Sequence, residues 1–276
     1  MHFYQTIKKE RLRGAHRGFR ALHPENTLSA FAAAIGHFDF IELDIQPAAD
    51  GTLMVLHDDT MERTTDIDRR TPLPRPCRVQ DFDAAFLSKI DAASWFVTAD
   101  PFRTITTGLV DPANIAPEPI PTLAEVLSLC ARHSIPANIE IKDSPCTDTE
   151  TLLIDLLKEL APYREGNFPF LISSFNHRYL ARLHELDTTL DLAANVEHNH
   201  PPHLLTYLKD LGVIGYHVDA PLIKSTPVTE LVEAGIACGA FTLNNPVEQE
   251  ACFEQGFRVV FADMKEEIYW KIEGRR

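Results

Sequence analysis

Two carboxylates lie two residues apart in the run Phe-Ile-Glu-Leu-Asp-Ile, at Glu42 and Asp44. On a β-strand this spacing directs both side chains to the same side, because successive side chains alternate between the two faces. Burying two like charges together is costly, since each raises the pKa of the other and both lose hydration. A hard divalent cation between them would offset both penalties.

A third carboxylate occurs in Asn-Ile-Glu-Ile-Lys, where Asn138, Glu140 and Lys142 would share one strand face. Packing alone does not account for a polar face on a core strand. Three oxygen ligands suit Mg²⁺ or Ca²⁺ better than zinc. We therefore predict one divalent cation, Mg²⁺ or Ca²⁺, at Glu42, Asp44 and Glu140, with Lys142 binding substrate phosphate beside it. For any single carboxylate, an ion pair with Arg or an exposed strand end is the alternative.

Two histidines end predicted strands, His16 in Ala-His-Arg-Gly and His57 in Leu-His-Asp. Polar, turn-forming sequence follows each, which predicts that both lie at the C-terminal mouth of a barrel, where active sites lie. Phosphodiester cleavage needs a base, an acid and charge stabilisation, and two imidazoles beside a cation supply all three. Arg17 offers a guanidinium fork for substrate phosphate oxygens, with a structural ion pair as its alternative role.

The elements that must position these residues read as strands alternating mostly with amphipathic segments, which is typical of parallel sheets with crossover helices. The predicted strands are Arg13–His16, Phe40–Gln46, Leu53–His57, Ala137–Lys142, Phe168–Ser173, Leu192–Val196, Val213–Val218, Ala237–Leu243 and Arg258–Phe261. One predicted helix begins after Pro24, with Asn26 or Thr27 as its N-cap. Two further predicted helices cover Leu123–Cys130 and Thr149–Leu160.

Nine predicted strands exceed by one the eight of a TIM (β/α)8 barrel. Between the second and third strands, Pro47 to Gly51 is too short for a crossover helix, and its Asp-Gly pair favours a turn. The predicted fold is therefore an α/β TIM barrel that is irregular near strands 2 and 3.

The stretch 71–121 is rich in proline and lacks sustained periodicity. We interpret it as an insertion within one catalytic domain spanning residues 1–276, because it carries apolar residues that could be buried. These are Phe82, Phe86, Leu87, Trp95 and Phe96. A lid over the site and a surface segment without a role both stay open.

The composition, 45% hydrophobic and 24% charged, is typical of a globular domain, and the net charge of −14 disfavours nucleic acid as a partner. Five scattered cysteines without a Cys-x-x-Cys pair argue against a disulfide framework and a structural zinc site. They are Cys77, Cys130, Cys146, Cys238 and Cys252. Because no signal peptide or membrane-length apolar run is apparent, we predict a cytoplasmic protein without stable membrane insertion. Its oligomeric state is open.

Taken together, these residues resemble the glycerophosphodiester phosphodiesterase family. The resemblance is carried by His16-Arg17-Gly18, Pro24-Glu25-Asn26-Thr27, Ala30-Phe31, Glu42-Leu43-Asp44, Asp50-Gly51, His57-Asp58, Arg63-Thr64-Thr65, the run from Ile120 to Leu127, Glu140-Ile141-Lys142 and, more weakly, Ser173-Ser174-Phe175. The resemblance implies a TIM barrel with an insertion after the third strand. It also implies a divalent cation at Glu42, Asp44 and Glu140, and acid/base roles for His16 and His57.

Departures from the family pattern lie near the C-terminus. Where the family usually shows an aromatic strand ending in Thr-Val-Asn-Asp, this chain has Phe-Thr-Leu-Asn-Asn at residues 241–245. The next strand, usually Gly-Val-Asp-Gly-like, begins Gly-Phe-Arg-Val at residue 256. In the family these late loops contact the alcohol or glycerol portion of the substrate, so the departures bear on which substrate is preferred and not on the phosphoryl chemistry.

The predicted function is hydrolysis of small-molecule glycerophosphodiesters to glycerol 3-phosphate and an alcohol such as choline, ethanolamine or glycerol. One alternative is a lysophospholipase D, which would want an apolar groove or an interfacial helix. Another is a non-catalytic barrel that binds a metal and a phosphorylated metabolite. A metal-dependent nuclease is disfavoured by the negative charge. The sequence leaves open which histidine is the acid, and whether water or a neighbouring hydroxyl attacks.

Overall fold

Eight parallel strands close into a barrel in the computed structural model, which describes residues 2–70, 73, 75–143 and 148–274. The nine described strands are β1 (Leu12–Ala15), β2 (Phe40–Pro47), β3 (Leu53–Val55), β4 (Ala137–Ile141), β5 (Phe170–Ser174), β6 (Leu192–Val196), β7 (Gly215–Asp219), β8 (Ala237–Phe241) and β9 (Val259–Ala262). All except β3 follow one another around the barrel, and β1 pairs with both β9 and β2 to close it. The predicted TIM barrel is confirmed.

Helices occupy the crossovers between barrel strands. The described α-helices are α1 (Phe3–Thr6), α2 (Leu28–Ala34), α3 (Ala84–Leu87), α4 (Trp95–Ala99), α5 (Leu123–His133), α6 (Thr149–Glu165), α7 (His177–Leu186), α8 (Leu204–Asp210), α9 (Val228–Glu233), α10 (Pro246–Glu254) and α11 (Glu266–Ile272). Of the two predicted N-caps, Thr27 caps α2, and its hydroxyl oxygen accepts a hydrogen bond from the Ala30 amide at 3.2 Å. The helices predicted at Leu123 and Thr149 are α5 and α6.

The extra strand β3 lies outside the barrel and pairs antiparallel with the end of β2. The five residues between them form the tight turn that the Asp50-Gly51 pair predicts, with Gly51 at a φ of +84°. The predicted irregularity near strands 2 and 3 is therefore this hairpin.

The position of His57 in the chain differs from the prediction. His57 does not end a barrel strand; it lies two residues beyond β3, which runs back towards the barrel from the hairpin tip. The Leu56 amide donates to the Asp44 carbonyl oxygen at 3.1 Å. His57 thus reaches the C-terminal mouth of the barrel by an antiparallel return.

Between β3 and α5 the chain forms the predicted insertion, whose residues 71, 72 and 74 lie outside the described part. Apolar side chains of this segment pack against the hairpin and form a small separate core. This core includes Ile67, Val79, Leu87 and Ile90. Leu87 and Phe96 are fully buried, whereas Phe82, Phe86 and Trp95 are partly buried. None of the described residues of 71–121 lines the main cavity at the barrel mouth, and a lid function stays a prediction.

The N-terminal end of the barrel interior is filled by apolar side chains. Phe3 and Tyr4 of α1 pack there against residues at the starts of strands, including Leu12, Phe40 and Val259. The aromatic rings contact edge to face, with 5.5 Å between the centroids of Phe3 and Phe40. This plug leaves the polar residues to the opposite, C-terminal half of the barrel.

No described helix has the length and apolar character needed to cross a bilayer. The four described cysteines are buried, and Cys146 lies outside the described residues.

Candidate active site

Three buried carboxylates from two adjacent strands meet at the C-terminal mouth of the barrel. Glu42 and Asp44 lie on β2, and Glu140 lies on β4 directly opposite Asp44 in the parallel register. One oxygen from each lies within 4.8 Å of the others, and their residues are 3%, 1% and 8% exposed. The structure therefore brings together the three residues that the strand periodicity pointed to.

Neighbouring donors hold each carboxylate in place. The Arg17 amide donates to Glu42 Oε2 at 2.8 Å, and the Asn26 side chain donates to Asp44 Oδ2 at 2.9 Å. Lys142 Nζ donates to Glu140 Oε1 at 2.7 Å. The orientations of the three carboxylates are thus fixed by the surrounding chain.

Electrostatics in this cluster favour a bound cation. Burial, followed by the charges of Asp44 and Glu140, raises the pKa of Glu42 well above its ordinary value. Burial and the Asp44 charge also raise the pKa of Glu140. Burial would raise the pKa of Asp44 too, but Lys142 and Arg17 outweigh it and the pKa falls. Lys142 and Arg17 therefore compensate only part of the negative charge of the cluster.

The donor set suits a hard cation. All three cluster residues offer carboxylate oxygen, which matches Mg²⁺ or Ca²⁺. In the same cavity, Asn138 Oδ1 is buried without a hydrogen-bond partner among the described residues. A buried acceptor of this kind is costly unless something satisfies it, and a cation or its water would do so.

His16 is oriented by a carboxylate from the far end of the chain. It follows β1 directly, while Asp263 follows β9 directly, and the two strands are neighbours. His16 Nδ1 lies 2.8 Å from Asp263 Oδ1. Burial and the Arg17 charge lower the pKa of His16, and the pKa of Asp263 is about 2 because contacts to His16 and Arg20 outweigh its burial. A neutral His16 bonded at Nδ1 keeps Nε2 for proton transfer.

His57 has a similar partner in the adjacent residue. Its Nδ1 lies 2.6 Å from Asp58 Oδ1, and Arg63 Nη2 donates to the same oxygen at 2.9 Å. Burial would raise the pKa of Asp58, but the contacts with His57 and Arg63 lower it below its ordinary value. Asp58 is therefore ionised and can fix the ring orientation of His57.

One buried carboxylate connects these two histidine–aspartate pairs. Glu25 is 4% exposed and accepts from Arg63 Nη2 at 2.7 Å and from Arg17 Nη1 at 2.9 Å. Its other oxygen lies 2.8 Å from Arg20 Nη2. Arg20 in turn approaches Asp263 at 3.4 Å, and Arg63 holds Asp58. The three arginines keep the pKa of Glu25 at about 2 although burial opposes them.

The two predicted substrate-binding residues line the cavity but also make ion pairs. Arg17 adopts a left-handed φ of +55°, which turns its guanidinium towards Glu25 and places Nε 3.4 Å from Asp44 Oδ2. The alternative of a structural ion pair therefore applies to Arg17. Lys142 Nζ lies beside the carboxylate cluster and 5.6 Å from the centre of the Phe175 ring. Phosphate binding by either residue stays a prediction.

The cavity measures about 450 Å³ and is mostly polar around the carboxylates. Phe175 and Phe241 form an aromatic side of its lining, with ring centroids 5.6 Å apart. Asp263 and the roles of Glu25 and Asp58 were missed from the sequence, although Glu25 and Asp58 stood in recognised motifs. The signal available for Asp263 was a carboxylate two residues beyond the last predicted strand, Arg258–Phe261.

Comparison with known proteins gives consistent matches. The sequence profile of the "Glycerophosphoryl diester phosphodiesterase family" matches residues 16–267. A glycerophosphodiester phosphodiesterase of Bacillus altitudinis is 32% identical over 257 residues, covering 90% of this chain and 93% of the relative. One of Bacillus subtilis is 29% identical, covering 90% and 82%.

Solved structures share the fold. A phosphodiesterase of Oleispira antarctica, determined in complex with the product sn-glycerol-3-phosphate, superimposes with a TM-score of 0.79 and 25% identity, covering 99% of this chain and 100% of the other. A glycerophosphodiester phosphodiesterase of Thermotoga maritima superimposes with a TM-score of 0.66 at 20% identity, covering 97% and 99%.

Proposed function

This chain belongs to the glycerophosphoryl diester phosphodiesterase family, and we propose that it works with His16 and His57 around a divalent cation held by Glu42, Asp44 and Glu140. It hydrolyses glycerophosphodiesters to glycerol 3-phosphate and an alcohol. The observation that carries the proposed machinery is the convergence of three carboxylate oxygens within 4.8 Å, in a cavity that His16 and His57 also line.

The cation would supply charge. Bound at the three carboxylates, Mg²⁺ or Ca²⁺ would polarise a phosphate oxygen and offset the charge that develops there. Lys142 adds a positive charge on the β4 side, and Arg17 adds one on the β1 side. Lys142 donates to Glu140 Oε1 at 2.7 Å, and from this position its charge would also offset that of a phosphate bound at the cluster.

Proton transfer falls to the two imidazoles. Asp263 accepts from Nδ1 of His16 and Asp58 from Nδ1 of His57, so each ring can exchange a proton at Nε2. One histidine deprotonates the attacking group, which is water or the neighbouring glycerol hydroxyl, while the other protonates the departing alkoxide. Attack by the glycerol hydroxyl forms a cyclic phosphate, which water then opens to glycerol 3-phosphate. The carboxylate partners stabilise whichever ring becomes positively charged, and the ion pairs of Glu25 keep both partners in place.

The test is release of glycerol 3-phosphate after metal removal. We expect protein stripped with a chelator to lose turnover of glycerophosphocholine, and Mg²⁺ or Ca²⁺ added singly to restore it. Full turnover by metal-free protein would refute the cation, even though the family activity would stand. Glycerophosphoethanolamine and glycerophosphoglycerol, assayed in parallel, would identify the preferred alcohol.

Lysophosphatidylcholine provides a further arm of this assay. We expect it to react more slowly than glycerophosphocholine, because the lining of the cavity is dominated by charged and amide side chains. A faster reaction would favour the lysophospholipase D alternative.

The cytoplasmic location of the protein stays a prediction from the sequence.

A further inference from the structure

A chain of buried hydrogen bonds connects the plugged end of the barrel to Glu140. Tyr4 Oη lies 2.8 Å from His217 Nε2, and His217 Nδ1 lies 3.0 Å from Asn195 Oδ1. Asn195 Nδ2 then donates to Glu140 Oε2 at 3.1 Å. The residues Tyr4, His217 and Asn195 are 4%, 1% and 4% exposed, so solvent does not compete for these bonds.

Donor and acceptor chemistry gives this chain one direction. In its ionised form, the form that binds a cation, the Glu140 carboxylate only accepts, which requires the Asn195 amide nitrogen to face it and the amide oxygen to face His217. That oxygen also only accepts, and His217 must therefore carry its proton on Nδ1. The remaining ring nitrogen, Nε2, accepts from the hydroxyl of Tyr4.

The charge states of His217 and Tyr4 agree with that direction. Burial lowers the pKa of His217 to about 3, which keeps the imidazole neutral near neutral pH. Burial, then the charges of Cys238 and Asp191, raise the pKa of Tyr4, which keeps its hydroxyl as a donor.

Two glycines make room for these rings inside the barrel. A Cβ atom at Gly215 on β7 would lie 2.4 Å from Tyr4 Oη, and one at Gly239 on β8 would lie 2.7 Å from His217 Cδ2. Both distances are too short for any side chain there. The strands are thus shaped around Tyr4 and His217.

We propose that Tyr4, His217 and Asn195 act as positioning residues that fix the orientation of Glu140 for cation binding. Glu140 Oε2 is held by Asn195 and Oε1 by Lys142, so the carboxylate plane is set from both sides. Asn195 and His217 also line the cavity, and the contact through which all three residues act on the cation is the one from Asn195 to Glu140. This inference rests on the proposed function, because it requires a cation at the three carboxylates.

The test compares two substitutions of His217 by calorimetric titration of the chelator-stripped full chain with MnCl₂. In His217→Asn the side-chain amide can still donate to Asn195, so we expect affinity near that of the wild type. His217→Leu keeps an apolar volume but removes the donor, and we expect an affinity loss of about 10- to 100-fold, as is typical for outer partners of metal ligands. His200→Leu is the matched control, because His200 also contacts a tyrosine hydroxyl, at 2.8 Å from Tyr216.

A role in packing alone predicts the opposite order. Leu would then be tolerated beside the Phe261 ring, whereas Asn would leave a void. That order, or wild-type Mn²⁺ affinity in both variants, would overturn the inference. Absence of Mn²⁺ binding by the wild type would instead overturn the cation site, and the inference with it.

A spectroscopic readout covers the case in which His217→Leu does not fold. Nitrogen NMR of isotope-labelled wild-type protein should show a histidine, besides His16 and His57, that is protonated at Nδ1 and bare at Nε2, and its signals should be missing from His217→Asn. A proton on Nε2 of that histidine would contradict the direction of the chain.

Discussion

Asp263 and His16 lie 247 positions apart in the chain, yet Asp263 Oδ1 is 2.8 Å from His16 Nδ1. Closure of the barrel between β9 and β1 creates this contact, because it places the residues that follow the two strands side by side. The pair fixes which ring nitrogen of His16 faces the cavity.

Replacing Asp263 by Asn should therefore lower kcat while leaving KM nearly unchanged. The Asn side chain can offer its amide nitrogen to His16 and favour the wrong tautomer, which removes the proton-transfer function. We expect a loss approaching the roughly 10²–10⁴-fold contribution of one acid/base group. Steady-state kinetics on glycerophosphocholine would measure it. A rate within twofold of the wild type would show that His16 does not need this carboxylate.

His16→Ala and His57→Ala should each reduce turnover by about 10²–10⁴-fold, since each would remove one of the two proposed general acid/base groups. His133→Ala serves as the control, because His133 is exposed in the last turn of α5. Mn²⁺ affinity should be retained in both active-site variants, which separates loss of proton transfer from loss of the cation. Near-normal turnover in both would refute the proposed roles.

Glu42→Gln should stabilise the metal-free protein and weaken cation binding. Burial and two neighbouring carboxylates raise the pKa of Glu42, so the unfolded chain releases the Glu42 proton at a lower pH than the folded protein. The folded protein therefore loses stability as the pH rises above the ordinary value, and Gln abolishes this loss. Melting curves in chelator should show a higher Tm for Glu42→Gln, by about 2–4 °C for each kcal/mol gained.

Added Mg²⁺ should reverse that order, because the wild type gains binding energy that the Gln variant forgoes. Glu10→Gln, an exposed substitution of the same chemistry, should leave both melting temperatures unchanged. A lower Tm for Glu42→Gln in chelator would count against the charge argument.

The stability of the fold should fall below pH 6.5 partly because of His217. The pKa of His217 is about 3 in the folded protein against an ordinary 6.5, so between these values the unfolded chain binds the extra proton. The contribution of a neutral His217 is complete above pH 6.5 and decreases as the pH falls towards 3. From pH 6.5 to 5 it amounts to about 2 kcal/mol, at 1.36 kcal/mol for each unit.

Urea unfolding of the wild type and His217→Asn at several pH values would measure this. As the pH is lowered from 6.5, the free energy of unfolding of the wild type should fall relative to that of His217→Asn. Parallel curves for the two proteins would show that His217 already binds its proton in the folded state.

The carboxylate cluster could be predicted because the alternation of side chains along a strand and the common direction of parallel strands determine where it lies. Glu42 and Asp44 share a strand face by spacing alone, and parallel strands bring their C-terminal ends to one mouth, where Glu140 joins them. The barrel followed in the same way, with strand ends displaced by one or two residues where turns compete.

Other contacts depend on long-range closure or on single backbone angles. The partnership of Asp263 with His16 requires the register of β9 on β1, and the ion pairs of Arg17 require its positive φ. His57 was placed at the mouth for the wrong reason, since only the pairing direction of β3 distinguishes a hairpin return from a barrel strand. The resemblance to a family located His16, Arg17 and His57 without explaining their positions, and it did not locate Asp263.

The β2–β3 hairpin makes the spacing between the two imidazoles depend on the length of its tip. A register slip of one residue would turn the side chains of β3 to the opposite face and displace His57, which follows it. Among the loops around the mouth, this turn should therefore accept sequence changes but no change in residue number. Variation in substrate choice, natural or designed, would then have to come from the other loops around the mouth. The hairpin would keep the same length and hold the distance between the two imidazoles constant.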